Sequence, residues 1–297
     1  MNDFAVSNGL LGDAKALRKR ANEDGYLYFR QLFDPDSLLN LRRQILQLCQ
    51  QSDWLKPDID LMEGIANPEA VTVEPEPAYL EVYSEVMKLQ DFHGLAHYPA
   101  LMAMFDTLFG EPTLVHPRNI ARIIFPQNVK FTTPAHQDFV HIQGTPETWT
   151  AWTPLGDCPR EQGSLAILPG SHKQDIYPTH SAYGAGGLGI ETDALPFEWA
   201  GSDFRLGDTV VFHSHTIHKG MPNVTADRLR LSVDYRYQGI SQPVTEASRL
   251  PHHARQSWED IYKVWESDDY KYYWLDSDLN MSVWTPEYHQ AAGLKLG

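Results

Sequence analysis

Hydrophobic positions recur along this chain with two different periods, and the change from one to the other divides it. From Leu10 to Ala21, the residues Leu10, Leu11, Ala14 and Leu17 keep helical spacing. Glu23-Asp24-Gly25 then ends the segment ahead of Tyr26-Leu27-Tyr28-Phe29, which reads as a short strand. Asp34-Pro35-Asp36 supplies an N-cap, an N1 proline and a first-turn acid to a second helix, whose apolar face carries Leu38, Leu41, Ile45 and Leu48. Prolines at 57, 68, 75 and 77 break the period between Ser52 and Pro77 and predict a loop placed to border a site. Helical spacing returns over Ala78 to Gln90 and Ala100 to Phe109, with Gly110-Glu111-Pro112 as a stop.

After Pro112 the period shortens. Thr113-Leu114-Val115, Ile120 to Phe125, Thr148 to Trp152, Ser164 to Leu168, Thr209 to Phe212 and Leu229 to Tyr237 are β-type runs separated by Gly, Pro and Asn. Helices gathered at one end and strands at the other predict a mainly β fold with flanking α-helices, the strands forming a jelly roll. One domain over 1–297 is expected, with a helical flank at 1–112, the jelly-roll core at 113–240 and a C-terminal extension at 241–297, dense in aromatics and acids, that reads as a docking tail. Thr179 to Asp193, with glycines at 184, 186, 187 and 189, has neither period and lacks a GxxxxGK[ST] sequence, so it is expected to be a lid loop.

Charge narrows the function. A net charge of −15 disfavours nucleic acid and anionic membrane surfaces, which need a basic footprint, and leans toward a small polar molecule as substrate. Cys49 and Cys158 are too few and too far apart for a disulfide framework or a zinc motif, and the first residues carry no basic segment followed by an apolar run. A cytoplasmic protein with no membrane contact is expected.

Candidate chemistry centres on His136-Gln137-Asp138. In an extended segment a histidine and a carboxylate two residues apart project from the same face, a geometry suited to a metal. A third ligand is sought in the run Gly207-Asp208-Thr209-Val210-Val211-Phe212-His213-Ser214-His215-Thr216-Ile217-His218, where His213, His215 and His218 compete. Two histidines and one carboxylate on one side of an ion leave the other side open, as in non-haem Fe(II) oxygenases.

Several segments stand in order around this motif: Gly163-Ser164-Leu165-Ala166-Ile167-Leu168-Pro169-Gly170-Ser171-His172, the Gly207-to-His218 run, then Pro222-Asn223, Arg228 and a strand ending in Tyr235. With His136-Gln137-Asp138 and Trp152, they make the chain from about Gly25 to Tyr237 resemble the phytanoyl-CoA dioxygenase family of Fe(II)- and 2-oxoglutarate-dependent oxygenases. The resemblance implies a double-stranded β-helix (cupin-like) core and His136, Asp138 and His218 as iron ligands, His218 lying ten residues after Asp208. It implies Arg228, ten residues further on, as the cation for the far carboxylate of 2-oxoglutarate, with Arg230 as the competitor on the same face. Gln137 is implied near the site although alternation points it away, and Trp152 is a candidate floor for the cosubstrate. His116, Arg118, Arg122 and Lys130 precede the motif as candidate substrate contacts, Arg236 reads as a surface salt bridge, and His172 is expected to fix its turn rather than bind metal.

The reaction implied is oxidation of a small metabolite with O₂, by hydroxylation, desaturation, ring closure or dealkylation, releasing succinate and CO₂. Related halogenases replace the carboxylate ligand with a small residue, so Asp138 argues against halogenation. A cupin-like isomerase or hydrolase and a non-catalytic jelly-roll binding protein are the competing readings.

Overall fold

The computed structural model describes residues 1–129 and 131–289. Lys130 and the last residues of the extension lie outside the described residues.

The expected helices form, with local chemistry that fits some of their ends, although the Asp34 side chain expected to cap the second makes no cap hydrogen bond. Helix α1 (Ala14–Asp24) is capped by the Asp13 side chain, which accepts the Ala16 N–H, and closes at Gly25 with φ of 73°. Strand β1 (Tyr26–Phe29) follows, then α2 (Pro35–Gln51), with Pro35 in its first turn. The run expected as one helix from Ala78 to Gln90 divides into α3 (Pro77–Val86) and the short α4 (Gln90–Gly94); α5 (Pro99–Phe109) ends at the left-handed Gly110.

The strands then build two sheets. The larger is ordered β1, β9 (Thr209–His213), β4 (Trp149–Pro154), β11 (Arg230–Gly239) and β2 (Thr113–Val115), with β3 (Ile120–Ile124) also paired to β11. The smaller is β10 (His218–Gly220), β5 (Leu165–Ile167) and β8 (Ala200–Gly201). β1 belongs to this core although it lies in the helical flank: it pairs antiparallel with β9, Tyr28 opposite Val210.

Alternation along each strand separates two environments. Leu27, Phe29, Ala151, Val211, Leu231, Val233, Tyr235 and Tyr237 turn outward into one core with the helices. Tyr26, Tyr28, Trp152, Val210 and Phe212 turn inward, toward Leu165, Ile167, Ala200 and Phe204. The interior between the sheets therefore has its own lining, and on β11 that lining is polar: Arg230, Ser232, Asp234 and Arg236 alternate with the four outward apolar residues.

The extension docks on the helical layer. Trp258, in α7 (Trp258–Tyr262), lies with Trp265 against the His93 ring at 5.8 and 5.2 Å, and the Trp265 indole donates to the Lys88 carbonyl at 2.9 Å. Farther on, β12 (Val244–Thr245) pairs in parallel with β13 (Met281–Ser282). The expected lid loop carries a small hairpin, β6 (His180–Ser181) with β7 (Leu188–Gly189), and Ile190 donates to the Ala135 carbonyl at 2.8 Å, so it lies against the segment leading into His136. Among the described residues no helix is long and apolar enough to cross a membrane.

If the helical flank and the jelly roll are one cooperative unit, weakening their seam must weaken both. Phe105 of α5 is fully buried and stacks on Tyr237 of β11 at 4.2 Å. Phe105→Ala is expected to cost about 3–5 kcal/mol and to shift a single urea transition seen alike by far-UV circular dichroism and tryptophan fluorescence. Two separated transitions, only one of them moved, would show independent domains.

Candidate active site

The site lies between the two sheets, at the start of β10. His136 and His218, far apart in sequence, face each other across an antiparallel bridge, each donating its backbone N–H to the other's carbonyl at 3.0 Å. The chain leaves extended conformation at Asp138, which has helical dihedrals (φ −62°, ψ −31°) and opens the short α6 (Phe139–Ile142). His136 Nε2 and His218 Nε2 stand 3.6 and 3.9 Å from Asp138 Oδ1.

Each ring is oriented by its second nitrogen. His136 Nδ1 meets the Pro134 carbonyl at 2.8 Å and His218 Nδ1 the Thr216 carbonyl at 3.0 Å, so both carry a proton there and turn Nε2 inward. Burial, reinforced by His136, lowers the His218 pKa to about 3, which keeps that ring neutral. Burial alone would raise the Asp138 pKa; Arg236 and the two histidines outweigh it and hold the carboxyl well below the usual range. Two imidazoles and an ionised carboxylate, all buried with ligand atoms within 4.8 Å of one another, are the donor set a divalent iron takes.

Asp138 is held by two strands at once. Thr150 Oγ1 donates to Oδ2 at 2.5 Å and Arg236 Nη2 to Oδ1 at 3.3 Å, and Thr150 and Arg236 are register partners on β4 and β11. The turns fixing the third histidine are as local. Ser171 Oγ, in the Pro-Gly-Ser-His turn, accepts the N–H of Ile217 at 2.9 Å, and the His172 ring bonds the Asn22 carbonyl rather than joining the site. Asp208 accepts from Gln31 N, Arg205 N, Arg30 and Tyr28, which ties the Gly-Asp turn to β1.

The other expected residues divide. Arg228 does not line the pocket: its guanidinium sits at the surface, side chain 48% exposed, 2.8 Å from Glu63. The reason is that β11 begins only at Arg230. Arg228 still lies in the turn that pairs with Ile65, in the proline-interrupted loop, and its side chain follows that loop outward. Arg230 is 6% exposed, lines the pocket and donates to Ser232 Oγ at 2.5 Å; its Nε has no partner and, among the described residues, it has no carboxylate within salt-bridge distance. Trp152 lines the same pocket, its ring 5.8 Å from the Arg230 guanidinium carbon.

Gln137 turns away, as alternation requires. It donates to the His215 carbonyl and accepts the Tyr177 N–H, joining the segment before the lid to the run before His218. His213 and His215 face another side of the molecule, near Glu147 and His172. Of the four expected substrate contacts, Lys130 lies outside the described residues and Arg122 lines the pocket, between Glu74 and Asp234. His116 and Arg118 do not line it, because the first bonds Gln238 and the second the Ala247 carbonyl.

Arg236, Asp234 and Thr150 were not among the expected site residues, yet all three line the pocket. The signal for two of them was present on β11, where polar residues at 230, 232, 234 and 236 alternate with buried apolar ones. A polar stripe on a central strand must face a polar interior. Burial raises the Asp234 pKa against the pull of Arg122 and Arg236.

A jelly roll that closes around two histidines and a carboxylate, with a buried guanidinium in the same pocket, is the architecture of a 2-oxoglutarate-dependent non-haem iron oxygenase. The comparisons agree. The chain belongs to the phytanoyl-CoA dioxygenase (PhyH) family, whose model matches residues 21–231. It is 29% identical over 253 residues to the 1-deoxypentalenic acid 11-beta-hydroxylase of Streptomyces arenae, covering 81% of this chain and 86% of that protein. It is 25% identical over 227 residues to the peroxisomal phytanoyl-CoA dioxygenase of Bos taurus, covering 68% and 61%. Among solved structures it resembles the epimerase SnoN crystallised with Fe3+, alpha ketoglutarate and nogalamycin RO, with a TM-score of 0.57 at 20% identity over 80% of this chain and 87% of that one.

Two measurements check this placement. His136→Ala, Asp138→Ala and His218→Ala should each fall well below one iron per chain after anaerobic loading and desalting, while His215→Ala keeps full stoichiometry; the reverse pattern would move the third ligand to His215. His116 tests a structural role. Burial holds its pKa at about 4, against an ordinary 6.5. The unfolded chain therefore takes up a proton that the native state refuses as pH falls from 6.5 toward 4. The stability associated with a neutral His116 is complete above pH 6.5 and declines below it, by about 3 kcal/mol. His116→Gln should flatten that part of the urea-midpoint profile, and an unchanged slope would contradict the assignment.

Proposed function

We propose that His136, Asp138 and His218 hold iron(II), that Arg230 and Ser232 take the far carboxylate of 2-oxoglutarate, and that the enzyme oxidises a C–H bond of a small metabolite. One observation carries the assignment: a buried guanidinium with an orphaned N–H and, among the described residues, no acidic partner lines the same pocket as the metal triad. Burying an unpaired charge is costly, and a ligand carboxylate is the partner that removes the cost. A metal-dependent isomerase or hydrolase, or a binding protein, leaves that guanidinium without a purpose.

The bound iron and 2-oxoglutarate would supply the oxidant, with O₂ and the keto acid consumed and succinate and CO₂ released. The chain's own residues do the arranging. Pro134 and Thr216 carbonyls fix the tautomer of both ligand rings, while Thr150 and Arg236 hold the Asp138 carboxylate in one orientation. Ser232 Oγ accepts from Arg230, which leaves its hydroxyl proton free for the cosubstrate carboxylate. Trp152 packs against Phe204 at 4.8 Å and closes the wall beside Arg230. Hydroxylation is the outcome proposed, in line with the Streptomyces relative, which is a hydroxylase.

The test is anaerobic addition of Fe(II) and 2-oxoglutarate, followed by O₂. A weak visible charge-transfer band and succinate formation are expected; absence of both would end the oxygenase reading. Arg230→Ala should raise the KM for 2-oxoglutarate roughly 30-fold or more, the equivalent of losing one charge-assisted pair of about 2–3 kcal/mol. Arg228→Ala should leave it within about twofold, as expected of an exposed ion pair. Equal effects, or the opposite order, would return the anchor to Arg228.

A further inference from the structure

A second chamber adjoins the metal pocket, with Arg122, Thr133, Gly220 and Arg230 as the wall common to both. Elsewhere its surface is largely apolar, from Val73, Ile123, Ile124, Phe131 and Met221. Ala185 of the lid loop contributes to it, and next to it Gly184 (φ 140°) approaches the Thr132 carbonyl so closely that a Cβ there would lie 1.9 Å from the oxygen. The loop expected as a lid thus lines this chamber through Ala185, and none of its residues lines the metal pocket.

The charges that reach the chamber are already matched. Arg122 sits between two carboxylates, Nη1 on Glu74 Oε2 and Nε 3.5 Å from Asp234. Glu74 Oε1 is also 3.0 Å from His253 Nε2. Arg236 is engaged by Asp138, and Arg230 is reserved for the cosubstrate on the reading above, on which this inference rests. Among the described residues lining the chamber, no cation is left for a carboxylate of the substrate and no carboxylate for an ammonium. Glu74, His252 and His253 could be taken instead for a second cation site. The Arg122 guanidinium in contact with Glu74 opposes a cation there, and the Tyr83 hydroxyl occupies His252 Nδ1 at 2.7 Å.

We propose that the metal pocket and this chamber together receive the substrate, that the substrate is an uncharged molecule with a largely apolar skeleton, and that Glu74 sets this preference by neutralising Arg122. Glu74 acts through Arg122 and is a specificity-determining residue, not a catalytic one. The expected small polar metabolite is thereby narrowed to one whose polarity comes from groups such as hydroxyl or carbonyl.

The test uses the whole chain, held anaerobically with Fe(II) and saturating 2-oxoglutarate so that Arg230 is occupied, and a matched pair of probes on one skeleton, 1-adamantanemethanol and 1-adamantanecarboxylate, titrated by calorimetry. Wild type should bind the alcohol roughly tenfold or more tightly than the carboxylate, because a buried anion without a partner is penalised. Glu74→Gln frees Arg122 and should erase or reverse that ratio by strengthening carboxylate binding; Glu74→Asp should restore it. Met221→Trp, which fills the chamber, should abolish binding of both probes and serves if the Glu74 variants do not fold. Preference of the wild type for the carboxylate, an unchanged ratio in Glu74→Gln, binding of neither probe, or retained binding in Met221→Trp would each overturn the proposal. The charge-transfer band and the Arg230 variants judge the iron and 2-oxoglutarate reading separately, so the two can fail independently.

Discussion

Asp138 must remain ionised inside the protein, and much of the site is built around that requirement. Its carboxylate is fully buried, and burial by itself favours the protonated form. Arg236 supplies the positive charge and Thr150 the hydrogen bond, each from a different strand of the larger sheet. Because those residues are register partners, the position of the carboxylate is set by main-chain pairing of β4 with β11. A slip of one residue would turn both away and put Ala151 and Tyr235 or Tyr237 in their place.

The same register divides labour along β11. Its outward residues make the core with the helices, and its inward ones carry every arginine but Arg122 that lines the pocket. Arg236 faces the metal ligands, Asp234 steadies Arg122, and Arg230 with Ser232 offers an anion site. One strand therefore sets both stability and polarity of the pocket, through nothing more than the two-residue alternation of a strand.

That alternation also explains what could be read from the chain beforehand. The change from helical to β-type spacing near Pro112 marked where most of the strands begin, though β1 of the core lies ahead of it, and His136, Asp138 and His218 stood out because a metal needs particular donors at a common point. Arg228 was favoured over Arg230 by its distance from His218, a count that ignores where the turn ends. The strand starts two residues later, and the intervening turn follows the loop around Glu63. Arg236 looked like a surface charge because burial of an arginine depends on its partner, and its partner lies 98 residues away in sequence. Glu74 gave no local signal at all: its place beside Arg122 is created by the path of an irregular loop, which spacing rules do not describe.

The main-chain bridge between His136 and His218 separates ligand geometry from loop length. The ligands are pinned by two reciprocal backbone hydrogen bonds at the seam of the sheets, while the lid runs out from that seam and returns to it. Lengthening such a loop costs little closure entropy, because the cost rises only with the logarithm of its length. The roof over the chamber can therefore be exchanged, by mutation or by design, while the metal ligands stay where they are. In a scaffold of this kind, the choice of substrate and the chemistry done to it are inherited by separate parts of the chain.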